Sequence, residues 1–207
     1  MGQSRLTIED GVREVVRWAR ADRNPPVVVG IGGGSCAGKT SVSLALREGI
    51  ADSGILEMDA YYHSHADVGE QVDVNFDEPG ALDFTLLKRH LKFLRSGIGI
   101  HKPVYDFKKH VRSGTEWFAP CRVIILDGIF ALHSSLEGWL DFGIFVDCDA
   151  VERLRRRLKR DRVERGRTWA SVRHQFETTV QPMFLIHVEG TRTAANIVIS
   201  NQKHLQL

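Results

Sequence analysis

The chain is short of several things, and each shortage excludes something. Cysteine is scarce: Cys36, Cys121 and Cys148 are three in 207 residues, odd in number, far apart and in no metal-ligand spacing. A disulfide framework and a zinc module are thereby excluded, and reduced thiols are expected. No apolar run is long enough to span a bilayer, and residues 1–10 are too polar for the core of a signal peptide. The expectation is a cytoplasmic protein with no membrane partner. Internal repeats and low-complexity segments are missing as well. With 43% hydrophobic residues, 1–207 reads as a single domain that can bury a sizeable core.

Overall charge is also small, at +2, but that total conceals an asymmetry. From Arg153 to Arg167 there are nine basic residues against Asp161 and Glu164, so this segment carries +7 and the rest of the chain −5. A nucleic-acid patch would look like this, but interleaved aromatics and a known module are lacking, so no nucleic-acid partner is expected. A solvated helix face is the plain alternative. The choice is tilted toward an arginine cluster over phosphates by what lies further up the chain.

Gly33-Gly34-Ser35-Cys36-Ala37-Gly38-Lys39-Thr40 is a complete G-x-x-x-x-G-K-[ST] loop. Its glycines let backbone N–H groups turn inward around a polyphosphate, Lys39 reaches the outer phosphates, and the Thr40 hydroxyl is placed to ligate Mg²⁺. Val27 to Ile31 before it reads as a strand, and Val42, Ala45 and Leu46 after it fall at helical spacing. Strand, loop and helix occur in the order that points a helix N-terminus at the phosphates. A nucleoside triphosphate is the expected ligand.

The rest reads as βα units. Ile8, Val12, Val15, Val16 and Ala19 predict a helix over 7–21 with Thr7 as N-cap, stopped by Asn24-Pro25-Pro26. Leu86, Leu87, His90, Leu91 and Leu94 predict another over 83–95, with Gly97 past its end. Strands are expected at 55–58, 122–126, 144–146 and 196–199, which with 27–31 makes five, parallel and flanked by helices. Ligands of such sheets gather at the carboxyl ends of the strands, where the loop, Asp59 and Asp127 all fall. The stretches 61–83 and 98–120 are too long for plain connections and suggest a substrate-binding elaboration within 60–120. Val151, Leu154 and Leu158 are expected to bury one stripe of a helix in the lid region, 151–180, with Arg153, Arg157 and Arg160 on another face.

Five blocks in order carry a resemblance: G-I-G-G-G-S-C-A-G-K-T from Gly30, D-A-Y-Y from Asp59, N-F-D-E-P-G from Asn75, P-V-Y-D-F-K-K-H from Pro103, and R-D-R-V-E-R-G-R from Arg160. Over about 27–200 the chain resembles the uridine kinase (uridine-cytidine kinase) branch of the phosphoribulokinase and uridine kinase family. The resemblance implies an α/β P-loop core with a five-stranded parallel sheet, a β-hairpin beside the nucleoside and an Arg-rich lid helix over the phosphates. It implies Mg²⁺, ATP or GTP as phosphoryl donor, a pyrimidine nucleoside as acceptor and pyrimidine salvage as the role. Relatives are commonly oligomeric, so a homo-oligomer is an expectation from resemblance alone.

Residue by residue, the resemblance makes Asp59 the base near the 5′-hydroxyl and Asp127 the Walker-B carboxylate for Mg²⁺, together with Thr40. Many relatives carry Glu at position 127, so direct and water-mediated metal contact by the shorter Asp127 both stay open. Asp77 is implied at the ribose diol, where one carboxylate can accept from both hydroxyls. Tyr105, Phe107 and His110 are implied around the pyrimidine, with Tyr62, Phe76 and Ile129 in the same substrate site. Arg160 and Arg165 are implied at the phosphates, and Arg157, Arg167 and Gln175 near the nucleoside. Ala60, Gly80 and Leu82 depart from the usual pattern, and Cys36 stands where small residues are normal. A P-loop kinase of another small alcohol, or a nucleotide-binding regulator without turnover, remain the alternatives.

Overall fold

The computed structural model describes residues 5–21, 26–64 and 75–202, apart from the side chains of residues 164 and 165. In chain order the elements are β1 (Arg5–Leu6), α1 (Ile8–Arg20), β2 (Val27–Gly32), α2 (Lys39–Gly49), β3 (Ser53–Glu57), α3 (Phe84–Arg95), β4 (Ile100–Asp106), β5 (Val111–Phe118), β6 (Val123–Asp127), β7 (Phe142–Asp147), α4 (Ala150–Arg165), α5 (Trp169–Gln175) and β8 (Ile197–Ser200). Past α5 the chain stays helical but widens into π turns at Phe176–Val180 and Phe184–Val188.

The strands β1-β8-β7-β2-β6-β3, in that spatial order, form one parallel sheet, and β4 and β5 pair apart from it as an antiparallel hairpin. The main sheet has six strands where the sequence predicts five. The addition is β1, whose two residues pair with Val198 and Ile199. Two residues carry no periodicity, so only their neighbour in space makes them a strand.

Alternation along the central strands feeds two separate cores. Val27, Val29 and Ile31 of β2, Val123 and Ile125 of β6, and Ile144 and Val146 of β7 face α1 and α2. Val28, Ile124, Leu126 and Phe145 face the other way, toward α3. Both faces of these strands are covered, which is why they read as unbroken apolar runs. At about 1.5–3 kcal/mol for each large apolar side chain removed from water, these layers dominate the stabilisation. Thr7 caps α1 by accepting from the Asp10 N–H at 3.1 Å, and Asp83 caps α3 through the Leu86 N–H at 2.9 Å. Gly97 closes α3 in the left-handed region. Of the expected stop after α1, Asn24 and Pro25 lie outside the described residues.

The helix α4 does not pack as its apolar residues predict. Val151 is 80% exposed, and Leu154 and Leu158 are only half-buried. Its buried stripe is Arg153, Arg157 and Asp161, spaced by four. The helix faces the phosphate loop and its own C-terminal continuation, so a charged stripe replaces the apolar one.

Candidate active site

Register places three features at one end of the sheet. Asp127 closes β6 level with Ile31 of β2 and Glu57 of β3. The phosphate loop leaves β2 just past that level, and Asp59 sits in the single 3₁₀ turn (Met58–Tyr61) that follows β3. Residues separated by long stretches of chain thus share one crevice, at the carboxyl ends of the strands.

Within the loop, Gly33 and Gly38 have φ of +134° and +101°. A Cβ on Gly33 would come 2.5 Å from the Val146 carbonyl oxygen, so only glycine fits there. Lys39 Nζ donates to the carbonyls of Gly33 and Gly34, each at 3.1 Å. Its burial lowers its pKa from the usual ammonium value, against the opposing fields of Asp127 and Asp59. Asp127 is held by the Ser43 hydroxyl at 2.9 Å and by the Thr40 side chain, while burial raises its pKa. Ala37, within the loop, is fully buried.

Two contiguous clefts open from this end. The smaller, about 630 Å³, is walled by Ser35, Cys36, Gly38, Lys39, Thr40, Asp127 and Arg160 on one side and Tyr105, Phe107 and Ile129 on the other. The larger, about 1000 Å³, is lined by Tyr62, Phe76, Asp77, Tyr105, Phe107, His110, Ile129, Arg157, Arg167 and Gln175. Asp59 and Arg160 line both.

The hairpin brings the aromatic wall. Between Val104 and Tyr105 its register shifts by a bulge, after which Tyr105 pairs with Arg112. Arg112 then reaches into the body of the protein, donating to the carbonyls of Tyr62 (2.9 Å) and Tyr61 (3.0 Å) and bridging to Asp83. At the hairpin tip Asp106 accepts from the N–H groups of Lys108 and Lys109, and His110 takes a φ of +55°. Phe76 meets His110 at 5.3 Å and Phe107 at 5.6 Å between ring centroids, both nearly edge-to-face. Tyr62 is almost wholly buried behind them, its hydroxyl donating to the Phe76 carbonyl at 2.9 Å. Asp77, beside this cage, has its pKa raised by burial, with Arg157 and Lys39 the leading opposing charges.

The arginines are organised by two acceptors. Asp161, fully buried, pairs with Arg160 at 2.8 Å and Arg157 at 3.4 Å, with Arg167 at 3.9 Å. Gln175 Oε1 accepts from Arg157 at 3.0 Å and from Arg167 at 2.5 Å. Arg157 also donates to the Ser35 hydroxyl at 2.9 Å.

The site residues singled out from sequence border the two clefts except Gly33, Gly34 and Ala37, which line neither, and Arg165, whose side chain lies outside the described residues. Sequence reasoning passed over Arg156 and Asn201, which hold the loop from outside. Arg156 donates to the Ala37 carbonyl at 3.1 Å and the Asn201 carbonyl at 2.9 Å, and Asn201 Nδ2 donates to Ala37 at 2.8 Å. It also passed over Glu57, Lys102 and Glu116, an ion-paired group lining the smaller cleft. Nothing in a run of arginines tells which one faces the loop; the phase of α4 does.

The sequence matches the Phosphoribulokinase / Uridine kinase family over residues 28–206. It is 43% identical over 182 residues to the uridine kinase of Alkaliphilus metalliredigens, covering 85% of this chain and 88% of that protein. To the uridine kinase of Deinococcus deserti it is 41% identical over 180 residues, covering 84% and 87% respectively. In backbone, D-glycerate 3-kinase from Cryptococcus neoformans var. grubii superposes with a TM-score of 0.63 at 18% identity, over 89% of each chain. A structure described as a possible uridine kinase from Bacillus stearothermophilus gives 0.59 at 18% identity, over 93% of this chain and 98% of that one. These structural likenesses bear on the fold.

Proposed function

The chain belongs to the Phosphoribulokinase / Uridine kinase family, and from that premise we propose that it transfers the terminal phosphoryl group of ATP or GTP to the 5′-hydroxyl of uridine or cytidine. One observation carries this reading. An aromatic cage ending in His110, with a half-buried carboxylate at Asp77 beside it, joins the phosphate-loop cleft where Asp59 and Arg160 line both.

In this reading the triphosphate lies on the backbone N–H groups of residues 33–40, with Lys39 turned from the loop carbonyls to the outer phosphates. The nucleoside occupies the larger cleft. Asp77 accepts from the ribose 2′- and 3′-hydroxyls, and Tyr105, Phe107 and His110 surround the base, with Tyr62, Phe76 and Ile129 completing the wall. Asp59 accepts the 5′-hydroxyl proton as the oxygen bonds to phosphorus and the bond to the departing diphosphate breaks. Arg160 and Arg165 balance charge on the transferring group, and Arg157, Arg167 and Gln175 hold the nucleoside side closed.

Thr40 and Asp127 offer hard oxygen donors beside the loop and fit Mg²⁺, which takes one or two protein oxygens and completes its shell with water and phosphate. Among the described residues no cluster of three or more His, Cys, Asp or Glu is arranged to hold a metal by itself. When bound, Mg²⁺ would neutralise charge on the phosphate oxygens.

Among the described residues no helix is long and apolar enough to cross a membrane. A cytoplasmic, salvage role with no nucleic-acid or membrane partner, as a single kinase domain that can self-associate, completes the proposal. The test is a purified-protein assay of uridine, cytidine, adenosine, ribulose 5-phosphate and pantothenate with ATP and with GTP. Uridine or cytidine 5′-monophosphate is the expected product. Preference for a non-nucleoside alcohol, or no turnover of any, overturns it.

A further inference from the structure

Arg153 is among the largest fully buried side chains of the protein, 1% exposed, and no carboxylate lies within ion-pair distance of it among the described residues. Its Nε donates to the Cys148 carbonyl at 3.1 Å and its Nη2 to Gln181 Oε1 at 2.6 Å. The guanidinium lies 4.1 Å from the Phe184 ring centroid and 5.6 Å from that of Phe176. Nη1 is buried with no acceptor among the described residues. A buried donor left unsatisfied costs its desolvation, more for a charged group than for a neutral one, so a native chain keeps one for a reason.

The reason is given by what Nη1 faces. A Cβ built on Gly34 would stand 2.7 Å from Nη1 and 3.0 Å from both Cδ and Cζ, so the guanidinium packs directly against the phosphate loop at Gly34. The Gly34 carbonyl accepts from the Ala37 N–H and from Lys39, each at 3.1 Å, and Lys39 is the donor that a triphosphate would draw away. On its other side Arg153 grips Phe176 and Gln181, which continue the helix that carries Gln175. The π turns on either side of Gln181 widen this helix where the guanidinium meets it, and such turns recur at functional positions.

We propose that Arg153 is a positioning residue that braces the phosphate loop against the Gln175-bearing helix, its free Nη1 taking the Gly34 carbonyl once Lys39 turns to the triphosphate. The inference rests on the reading of residues 33–40 as a triphosphate site. It assigns Arg153 no contact with either substrate. Its charge lies behind the loop, where the planar fork can serve Cys148, Gln181 and Gly34 together, which a lysine ammonium cannot do with the same geometry.

The experiment is calorimetric binding of a non-hydrolysable ATP analogue with Mg²⁺, and separately of uridine, to the parent, Arg153→Met and Arg153→Lys. Melting temperature and near-UV circular dichroism select the folded variants, and Arg153→Lys keeps the test alive if Arg153→Met does not fold. The expected result is analogue affinity weakened about tenfold or more, within the usual range of coupling between sites, with uridine affinity in the absence of analogue changed less than about threefold. In the parent the analogue should tighten uridine binding, and in the folded variants that tightening should be lost. A purely structural role would lower the melting temperature and leave the affinities of the folded protein where they are, and that result overturns the inference. A parent that binds no triphosphate analogue overturns the underlying reading, and the inference with it.

Discussion

Arg157 of α4 donates through Nη1 to the hydroxyl of Ser35, 122 positions earlier in the phosphate loop, at 2.9 Å. Its Nη2 meanwhile holds Gln175 at 3.0 Å. One guanidinium thus spans the loop that would bind the triphosphate and the helix at the edge of the larger cleft. Removing it should weaken both substrates together. Hydrogen bonds from a charged group contribute about 1.5–3 kcal/mol, so Arg157→Ala is expected to raise both KM values by roughly tenfold or more. Steady-state titration of each substrate at saturating concentration of the other checks this; a change confined to one KM would place Arg157 on that side alone.

Asp59 lines both clefts and is the carboxylate at their junction. Asp59→Asn keeps the shape and removes the carboxylate proposed to accept the proton, so kcat should fall by about 10²-fold or more, the usual size for a positioned base. Nucleoside KM should change little. A variant with normal kcat and a raised KM would make Asp59 a binding residue.

Asp77 carries a pH signature. Burial raises its pKa above the ordinary 3.8, so the folded chain binds this proton more tightly than the unfolded one does. Stability from this group is full below pH 3.8 and is lost as pH rises through the raised value. Asp77→Asn removes that loss. The variant should therefore melt higher than the parent at neutral pH, and the difference should shrink as pH falls toward 4 and below. The same substitution should impair nucleoside binding and erase discrimination against 2′-deoxynucleosides. Melting curves from pH 4 to 8, with KM for uridine and 2′-deoxyuridine, test both halves.

His110 is held at the hairpin tip against Phe76. A neutral imidazole offers one donor and one acceptor, so it can meet the O4 of uridine or the N4 amine of cytidine by choice of tautomer or ring orientation. His110→Ala should depress kcat/KM for both pyrimidines together. Adenosine should remain poor in parent and variant alike, since Tyr105 and Phe107 still set the width of the cleft. Efficient adenosine turnover by the parent would remove the base-recognition assignment.

Much of this was legible in the chain because its signals are local. The loop of residues 33–40 needs particular residues at fixed offsets, and the apolar runs of β2, β6 and β7 follow from burial on both faces. Thr7, Asp83 and Gly97 mark helix ends through bonds or φ angles within a few residues of themselves. The crevice followed too, because parallel strands place their carboxyl ends together.

What stayed hidden depends on distant partners. Arg5–Leu6 is a strand only because β8 has a free edge beside it. The phase of α4 was misread because burial was assigned to its apolar residues, whereas the surface waiting for it was a glycine loop and a cluster of acceptors. Only the folded chain could turn Arg153, Arg157 and Asp161 inward and leave Val151 in water. The sequence by itself determined the fold class and the loop; tertiary structure decided which arginines face that loop, since a helix reports its periodicity but not what awaits each of its faces.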